Sequence, residues 1–172
     1  LGLDNKTMNS WLSVLETSFI AFRLQPYYQN FNKRVVGTPK VYFYDTGLAA
    51  YLLGIKSTDD LNLHFAKGTL FENLIINELQ KDVLNEGARP RFYFWRDYGQ
   101  NEVDLLIQEG TQLKAVEIKS GKTINNDFFK GLNYFKKIAP DAQLNLVYGG
   151  VDFQKRSDTT VFSIEQINKI VN

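Results

Sequence analysis

The chain has 172 residues, a net charge of +1, one histidine and no cysteine. This length suits one domain, or one domain with a small appendage. The lack of cysteine excludes disulfides and thiolate zinc sites, the single histidine excludes a multi-histidine metal site, and a cytoplasmic location is expected. With so small a net charge, nucleic-acid binding would depend on a local basic patch. No apolar run is long enough to predict a membrane span, so no membrane partner is expected.

The first 55 residues predict a helix followed by two strands. A helix is expected over residues 7–19, with an N-cap in the segment that begins at Asp4. Strand-like runs follow at residues 20–24 and 40–44. The helix residues with core-facing spacing are Trp11, Leu12, Leu15 and Phe19.

A helix followed by a hairpin resembles the last helix and wing of a winged-helix domain. Residues 1–55 are therefore interpreted as a partial winged helix with a short connecting helix, and residues 56–66 as a linker. Lys33 and Arg34 at the hairpin tip would contact phosphates, although basic residues also simply keep an exposed turn soluble. Asp45 is predicted to be the N-cap of the connecting helix and not a catalytic residue.

A longer amphipathic helix is predicted from Gly68 through Leu84, and Gly87 ends it. Helical spacing places Glu72 on its inward apolar stripe, where a carboxylate needs a partner. Glu78 is the competing acid on this helix, but it falls nearer the flank and is expected to be solvated.

Two further strand-like segments predict a hairpin that carries acidic residues. Gly110 and Thr111 suit a two-residue type II′ turn, which pairs residues whose numbers sum to 221. Asp104 then lies opposite Glu117, with Cβ atoms roughly 4.5–5.5 Å apart. Lys119 shares their face of the hairpin.

The other face of this hairpin is expected to be wholly apolar, because Val103 would meet Ile118 and Leu105 would meet Val116. Two carboxylates this close repel each other unless a cation lies between them, and such oxygen ligands suit Mg²⁺ or Mn²⁺. The alternative is an ordinary half-buried hairpin with a solvated charged face.

An aromatic strand is predicted over residues 91–96. Its Tyr93 and Trp95 suit stacking on bases, but packing within a sheet explains them better. The elements expected after the acidic hairpin are a helix over residues 128–138, a buried strand over 145–148, an edge strand over 159–162 and a final helix from Ser163.

This ordered set of elements is similar to the PD-(D/E)XK nuclease superfamily, which has a restriction-endonuclease-like αβββαβ core with a mixed sheet. The resemblance rests on the helix with Glu72, the run Glu102-Val103-Asp104 and the run Val116-Glu117-Ile118-Lys119-Ser120-Gly121. The same segments resemble a narrower group, the nuclease-like domain of unknown function at the C-terminus of prokaryotic AAA-type ATPase proteins. The resemblance implies an α/β nuclease-like domain over residues 67–172.

The function implied by the resemblance is Mg²⁺- or Mn²⁺-dependent hydrolysis of DNA. The metal-binding Asp and Glu of the superfamily match Asp104 and Glu117. The helix Glu, which assists metal binding directly or through water, matches Glu72, so Glu72 is the third expected metal ligand. Lys119 would orient the attacking water and stabilise charge on the phosphate.

The helix after the acidic hairpin departs from the superfamily pattern. The superfamily often carries a Gln or a basic residue there, and this helix offers only Asn and Lys candidates. Lys130 and Lys136 are the candidate phosphate contacts, although a solvated helix face is the simpler interpretation. The chain has no P-loop, so the implied ATPase would lie upstream, in a longer protein of which this chain is a fragment.

Three classes of function are left open. The first is a DNA nuclease. The second is a non-cleaving module of the same fold that binds nucleic acid or a protein partner for the ATPase. The third is a structural domain in which the acidic pair and Lys119 form a salt-bridged network, and the presence of all three residues together disfavours it.

Overall fold

The computed structural model describes residues 4–28 and 37–171. The helices are α1 (Asn5–Thr17), α2 (Thr46–Leu52), α3 (Thr58–Leu63), α4 (Lys67–Asn85) and α5 (Lys130–Ile138), with 3₁₀ helices at Asn126–Phe129 and Ile164–Ile170. The strands are β1 (Ala21–Pro26), β2 (Lys40–Phe43), β3 (Phe92–Arg96), β4 (Glu102–Glu109), β5 (Gln112–Lys119), β6 (Gln143–Tyr148), β7 (Gln154–Lys155) and β8 (Thr159–Phe162). None of these described helices is both long and apolar enough to cross a membrane.

The described strands form one eight-stranded mixed sheet in the order β2-β1-β3-β4-β5-β6-β8-β7. β3, β4 and β5 are consecutive antiparallel neighbours, whereas β5, β6 and β8 run parallel. The parallel pairing of β5 with β6 needs a crossover, which α5 provides. The predicted α/β class with a mixed sheet is therefore confirmed.

Helices on both faces of the sheet bury its apolar side chains. The cluster on the α4 side includes Ile75, Ile76, Leu79, Leu105, Val116 and Ile118. The cluster on the α5 side includes Trp95, Val103, Leu106, Leu132 and Phe135. Full burial of one such side chain contributes about 1.5–3 kcal/mol, so the two clusters hold both helices on the central strands.

The acidic hairpin has the predicted register from its turn as far as Leu105 and Val116, but the backbone pairing stops before the expected pair of Asp104 with Glu117. β4 pairs with β5 from Leu105↔Val116 to Glu109↔Gln112. Gly110 has a φ of 59°, the positive value that the first position of a type II′ turn requires.

The expected apolar face of this hairpin is interrupted at Val103. Val103 packs on the α5 side of the sheet, whereas Leu105 packs on the α4 side. The cause lies in the pairing with β3, where Tyr93 pairs with Leu106 but Trp95 pairs with Val103. β4 therefore contains one extra residue here, and such an irregularity breaks the alternation of side chains.

The strands of the N-terminal hairpin belong to this same sheet. β1 pairs antiparallel with β2, and it pairs parallel with β3 at Gln25↔Tyr93. The boundary expected at residue 55 is therefore not a break in the sheet, because β1 covers the edge that β3 would otherwise expose. Residues 56–66, expected to be a linker, contain α3. The winged-helix resemblance of residues 1–55 stays a prediction, and Lys33 and Arg34 lie outside the described residues.

Two buried asparagines of α4 hold the end of β2. Asn73 Oδ1 accepts a hydrogen bond from the Phe43 N–H at 2.9 Å, and Asn73 Nδ2 donates to the Phe43 carbonyl at 2.7 Å. Asn77 Nδ2 donates to the carbonyls of Phe43 and Tyr44 at 2.8 and 3.0 Å. These bonds satisfy backbone groups at the end of an edge strand, so they fix the N-terminal hairpin to α4.

The predicted core contacts of α1 are wrong. Its N-cap is as expected, since Asp4 Oδ1 accepts from the Thr7 N–H at 2.6 Å. No residue of α1 is buried, however, and Trp11 and Phe19 are 58% and 76% exposed. Leu12 and Leu15 are only half-buried. Helical spacing identified an apolar face, but α1 contacts β1 near the sheet edge, where the described residues provide no second layer.

Trp95 is fully buried and its ring centroid lies 5.4 Å from that of Phe135, which confirms sheet packing for this residue.

The predicted edge strand is not at the edge of the sheet. Residues 159–162 form β8, and β7 pairs with its outer side. A two-residue strand such as β7 is too short to give a periodic pattern.

We expect Asn73→Ala to lower the free energy of unfolding by about 1–3 kcal/mol, because it leaves the Phe43 N–H without the side-chain acceptor that it bonds. Urea unfolding of the wild type and the variant measures this change. Asn85→Ala, at the exposed end of the same helix, is the matched control and should stay within about 0.5 kcal/mol of the wild type. Equal effects of the two substitutions would contradict a specific role for Asn73.

Candidate functional site

Asp104 lies where β4 and β5 separate. The backbone pairing of the hairpin ends at Leu105↔Val116. Beyond it, Asp104 Oδ2 accepts a hydrogen bond from the Ile118 N–H at 2.8 Å. A side chain thus takes the place of a backbone acceptor, next to the extra residue of β4.

Lys119 contacts both acidic residues of the hairpin. Its Nζ lies 2.5 Å from Glu117 Oε1 and 3.7 Å from Asp104 Oδ2. Three of the four expected site residues are therefore in direct contact. We call Asp104, Glu117 and Lys119 the acid–lysine cluster.

The acid–lysine cluster is largely removed from water. Asp104 and Glu117 are each 7% exposed. Burial, followed by the charge of Glu72, raises the pKa of the Asp104 carboxyl, and burial, followed by the charge of Asp104, raises that of Glu117. Burial opposes a charged Lys119, yet the two carboxylates hold its pKa above the usual value. The two acids therefore remain ionised together only at a cost, which a nearby cation reduces.

Glu72 faces this region from α4, as predicted, but makes its direct contacts with the N-terminal hairpin. Its Oε1 accepts from Lys40 Nζ at 2.9 Å and also from the Tyr42 hydroxyl. Its charge is close enough to Asp104 to raise the pKa of that carboxyl. The partner that an inward carboxylate needs is therefore supplied by β2.

Sequence reasoning missed four residues around Glu72: Lys40, Tyr42, Arg96 and Glu102. Lys40 also forms an ion pair with Glu102, and Arg96 donates to the same carboxylate. Burial opposes the charge on Lys40, but the surrounding carboxylates hold its pKa above the usual value. The one available signal was the two-residue spacing of Lys40 and Tyr42, which places both side chains on one face of β2.

The two lysines of α5 that were candidates for phosphate contacts lie outside the acid–lysine cluster. Lys130 Nζ pairs with an Asp127 carboxylate oxygen at 2.8 Å, and both side chains are exposed. Lys136 Nζ donates to the Ala142 carbonyl at 3.2 Å. Their contacts agree better with a helix surface than with a shared phosphate site.

Gly131 allows α5 to begin close to the acid–lysine cluster. A Cβ atom at this position would lie 2.3 Å from the Glu102 carbonyl oxygen and 3.0 Å from Glu117 Oε2. Any larger residue would collide with the β4 backbone, so glycine is required by this close approach.

Two residues of the acid–lysine cluster could hold a divalent cation. Asp104 and Glu117 supply carboxylate oxygens, the ligands that Mg²⁺ prefers. Glu117 Oε2 is buried and has no hydrogen-bond partner among the described residues. Among residues 4–28 and 37–171, no three Asp, Glu or His side chains are placed to hold a metal together, so Glu72 does not complete the expected ligand set with Asp104 and Glu117. The residues therefore fit an ion held by two carboxylates, with water or substrate as its other ligands, as is usual for Mg²⁺.

Residues 67–167 match the family described as a domain of unknown function, DUF4143. Residues 1–59 match a second domain of unknown function, DUF8612. Neither description assigns an activity.

Similar proteins include the uncharacterized proteins Mb2031c of Mycobacterium bovis and Rv2008c of Mycobacterium tuberculosis, both 27% identical over 161 residues. The alignments cover 94% of this chain and 35% of each relative, so the chain spans about a third of their length. The crystal structure of protein VC1899 from Vibrio cholerae is similar over 99% of this chain and 43% of that one, with 16% identity and a TM-score of 0.39.

We expect Glu117→Gln to stabilise the fold increasingly as the pH rises from about 5 to about 8. Burial raises the pKa of both carboxyls in the folded protein. Their protonation therefore stabilises the wild-type fold below about pH 4, and this contribution is lost as the pH rises through the pKa values of the folded state. A tenfold difference between the folded and unfolded acid constants corresponds to about 1.4 kcal/mol.

Urea unfolding across this pH range tests the expectation, with Glu165→Gln at an exposed position as the control. A difference between wild type and Glu117→Gln that does not change with pH would contradict the assignment of a raised pKa to this group.

Proposed function

We propose that this chain, which belongs to the DUF4143 family of domains of unknown function, forms the nuclease domain of a Mg²⁺- or Mn²⁺-dependent enzyme that hydrolyses DNA phosphodiester bonds. The observation that carries the proposal is the burial of the acid–lysine cluster where β4 and β5 separate. Buried ionisable groups with raised pKa values are typical of functional sites. In a purely structural role, apolar side chains of similar volume would cost less.

The order of elements supports membership of the PD-(D/E)XK superfamily, with its restriction-endonuclease-like core. α4 is followed by β3, β4, β5, α5 and β6, which is the order αβββαβ. Asp104 lies on the second of these strands, and Glu117 and Lys119 lie on the third. Glu72 lies on the first helix and faces the same region.

In the proposed mechanism, Asp104 and Glu117 hold the cation through their carboxylate oxygens. When bound, a divalent cation lowers the pKa of a coordinated water and neutralises charge on the phosphate. Lys119 donates a hydrogen bond to the attacking water or to a phosphate oxygen that becomes more negative in the transition state. Glu72 assists from α4 by holding a water, and Lys40 and Tyr42 fix its direction.

A non-cleaving module is the second candidate, and two sets of contacts favour it. Lys119 Nζ already contacts both carboxylates of the acid–lysine cluster. Glu72 Oε1 is already engaged by Lys40 and Tyr42. In this alternative, the ion-paired residues stabilise a surface that binds nucleic acid or a protein partner, and no hydrolysis takes place.

We further propose that the complete protein acts in the cytoplasm and couples this domain to an upstream ATPase. The resemblance to the C-terminal domains of AAA-type ATPase proteins supports this proposal. The mycobacterial relatives are long enough to contain such a domain, since the alignments cover 35% of their length.

We expect Mn²⁺ to stabilise the wild-type chain by about 2.7 kcal/mol when its concentration is a hundred times its Kd. Asp104→Asn should abolish this gain, because it removes a charged ligand while its side-chain oxygen can still accept from the Ile118 N–H. Thermal unfolding with and without Mn²⁺ provides the measurement, and Asp141→Asn at an exposed position is the matched control. A wild-type Tm that does not respond to Mn²⁺ would favour the purely structural network.

We expect Lys119→Ala to lose DNA cleavage and to keep stabilisation by Mn²⁺, since its ammonium serves the water and the phosphate. One removed electrostatic contact of this kind costs about 10²- to 10³-fold in rate. Gel assays should use single-stranded, duplex and branched DNA, with this chain and with the complete protein plus ATP. Lys137→Ala, on the exposed side of α5, is the matched control.

The cleavage assay also separates the two candidate functions. If neither protein cuts any of these DNAs while Mn²⁺ still stabilises the wild type but not Asp104→Asn, the nuclease proposal fails in favour of the non-cleaving module.

A further inference from the structure

A cavity of about 510 Å³ opens between α2, α3 and α4 and the ends of β5 and β6. Its apolar walls are formed by Ala50, Leu61, Leu70, Phe71 and Leu74. Ser120 and Gly149 line it where the parallel strands β5 and β6 end. Its volume falls within the range of about 300–1,000 Å³ for small-molecule pockets, and the carboxyl ends of parallel strands are where such sheets bind ligands.

The cavity adjoins the candidate site through neighbouring residues. Phe71 precedes Glu72 on α4, and Ser120 follows Lys119 at the end of β5. The Gly149 N–H donates to the Lys119 carbonyl at 3.0 Å, which holds the end of β6 against the same segment. Two residues that line the cavity are therefore direct neighbours in the chain of Glu72 and Lys119.

The rim of the cavity carries positive charge and hydrogen-bonding groups. Lys67 and Lys122 both line it. Lys67 Nζ donates to Asn62 Oδ1 at 2.8 Å, which links the start of α4 to α3. Lys122 is exposed to solvent. An apolar interior, an aromatic wall at Phe71 and a cationic rim together suit a flat apolar group that is attached to anions.

We propose that this cavity binds an unstacked nucleobase from the strand whose phosphate lies at the acid–lysine cluster. This inference rests on the proposed function and deepens it, because it makes single-stranded or locally opened nucleic acid the preferred ligand. A base inside an intact duplex cannot reach a pocket of this kind unless it leaves the stack.

Base binding would also compensate for the weak electrostatic attraction between this chain and nucleic acid. A net charge of +1 provides little general attraction for a polyanion. Contact between one base and an aromatic side chain increases affinity by about 5- to 150-fold and tolerates different sequences. The cavity would thus supply affinity that the phosphates alone do not.

The test is equilibrium binding of fluorescein-labelled DNA in EDTA, measured by fluorescence anisotropy. The probes are a short single strand, the matching duplex, and a strand of the same length made of abasic nucleotides. Ala50→Phe fills the cavity from α2. We expect it to weaken binding of the single strand about tenfold, and to leave binding of the duplex and the abasic strand unchanged.

The matched control is Ala139→Phe, which fills a different cavity of about 660 Å³ beside Thr111 and Pro140. It should leave binding of all three probes unchanged. If circular dichroism shows that Ala50→Phe is misfolded, Leu61→Trp fills the same cavity from α3 with the same expected result.

Several outcomes would overturn the proposal. They are a wild type that binds the single strand no better than the abasic strand, a cavity-filling variant with unchanged binding, and a variant that weakens all three probes equally, as expected for a backbone or protein contact. Because no hydrolysis occurs in EDTA, a chain that never cuts DNA can still meet the expectation. A chain that cuts DNA but fails this test disproves base binding and leaves the proposed function intact.

Discussion

The hydrogen bond from the Ile118 N–H to the Asp104 carboxylate is the constraint on which the candidate site depends. In a regular antiparallel pair, a backbone carbonyl would accept from this buried N–H, and β4 and β5 would stay together. With a side chain as the acceptor, the strands separate without leaving a buried donor unpaired. The same bond fixes Asp104 against the end of β5, where Glu117 and Lys119 lie. The extra residue in β4 allows this local departure within an otherwise regular sheet.

Charge around this opening is arranged in two linked groups. Lys119 lies between Asp104 and Glu117, and Lys40 lies between Glu72 and Glu102. Each group has two carboxylates and one ammonium, but only the second receives a further cation, because Arg96 also bonds Glu102. When both acids of the first group are ionised, the unbalanced negative charge therefore belongs to Asp104 and Glu117. An added cation would gain most there, and this favours those two residues over Glu72 as direct metal ligands.

Sequence alone was sufficient where a structure is decided by neighbouring residues. Turn chemistry at Gly110 and the period of two fixed the register of the acidic hairpin, and helical spacing turned Glu72 inward. Sequence alone was insufficient where segments that are distant in the chain meet. Lys40 and Glu72 are 32 positions apart, and their contact depends on β1 joining β3, which no local pattern specifies. The exposed Trp11 shows the same limit, because an apolar stripe does not say what covers it. The predicted direction of the Val103 side chain was wrong because the pairing of β4 with a third strand, β3, changed it.

The position of Lys119 explains how one arrangement is compatible with both candidate functions. Its side chain is 35% exposed, whereas those of Asp104 and Glu117 are 10% and 9% exposed, so Lys119 is the member of the cluster that is most accessible to solvent. An anion that approaches from solvent meets Lys119 first. If the Lys119 ammonium forms its ion pair with a phosphate instead, the two carboxylates lose their counter-charge. Their affinity for another cation then rises. Phosphate and divalent cation would then favour each other's binding, since each neutralises the charge that the other exposes. Where no such exchange occurs, the same ion pairs simply hold the ends of β4 and β5 in place.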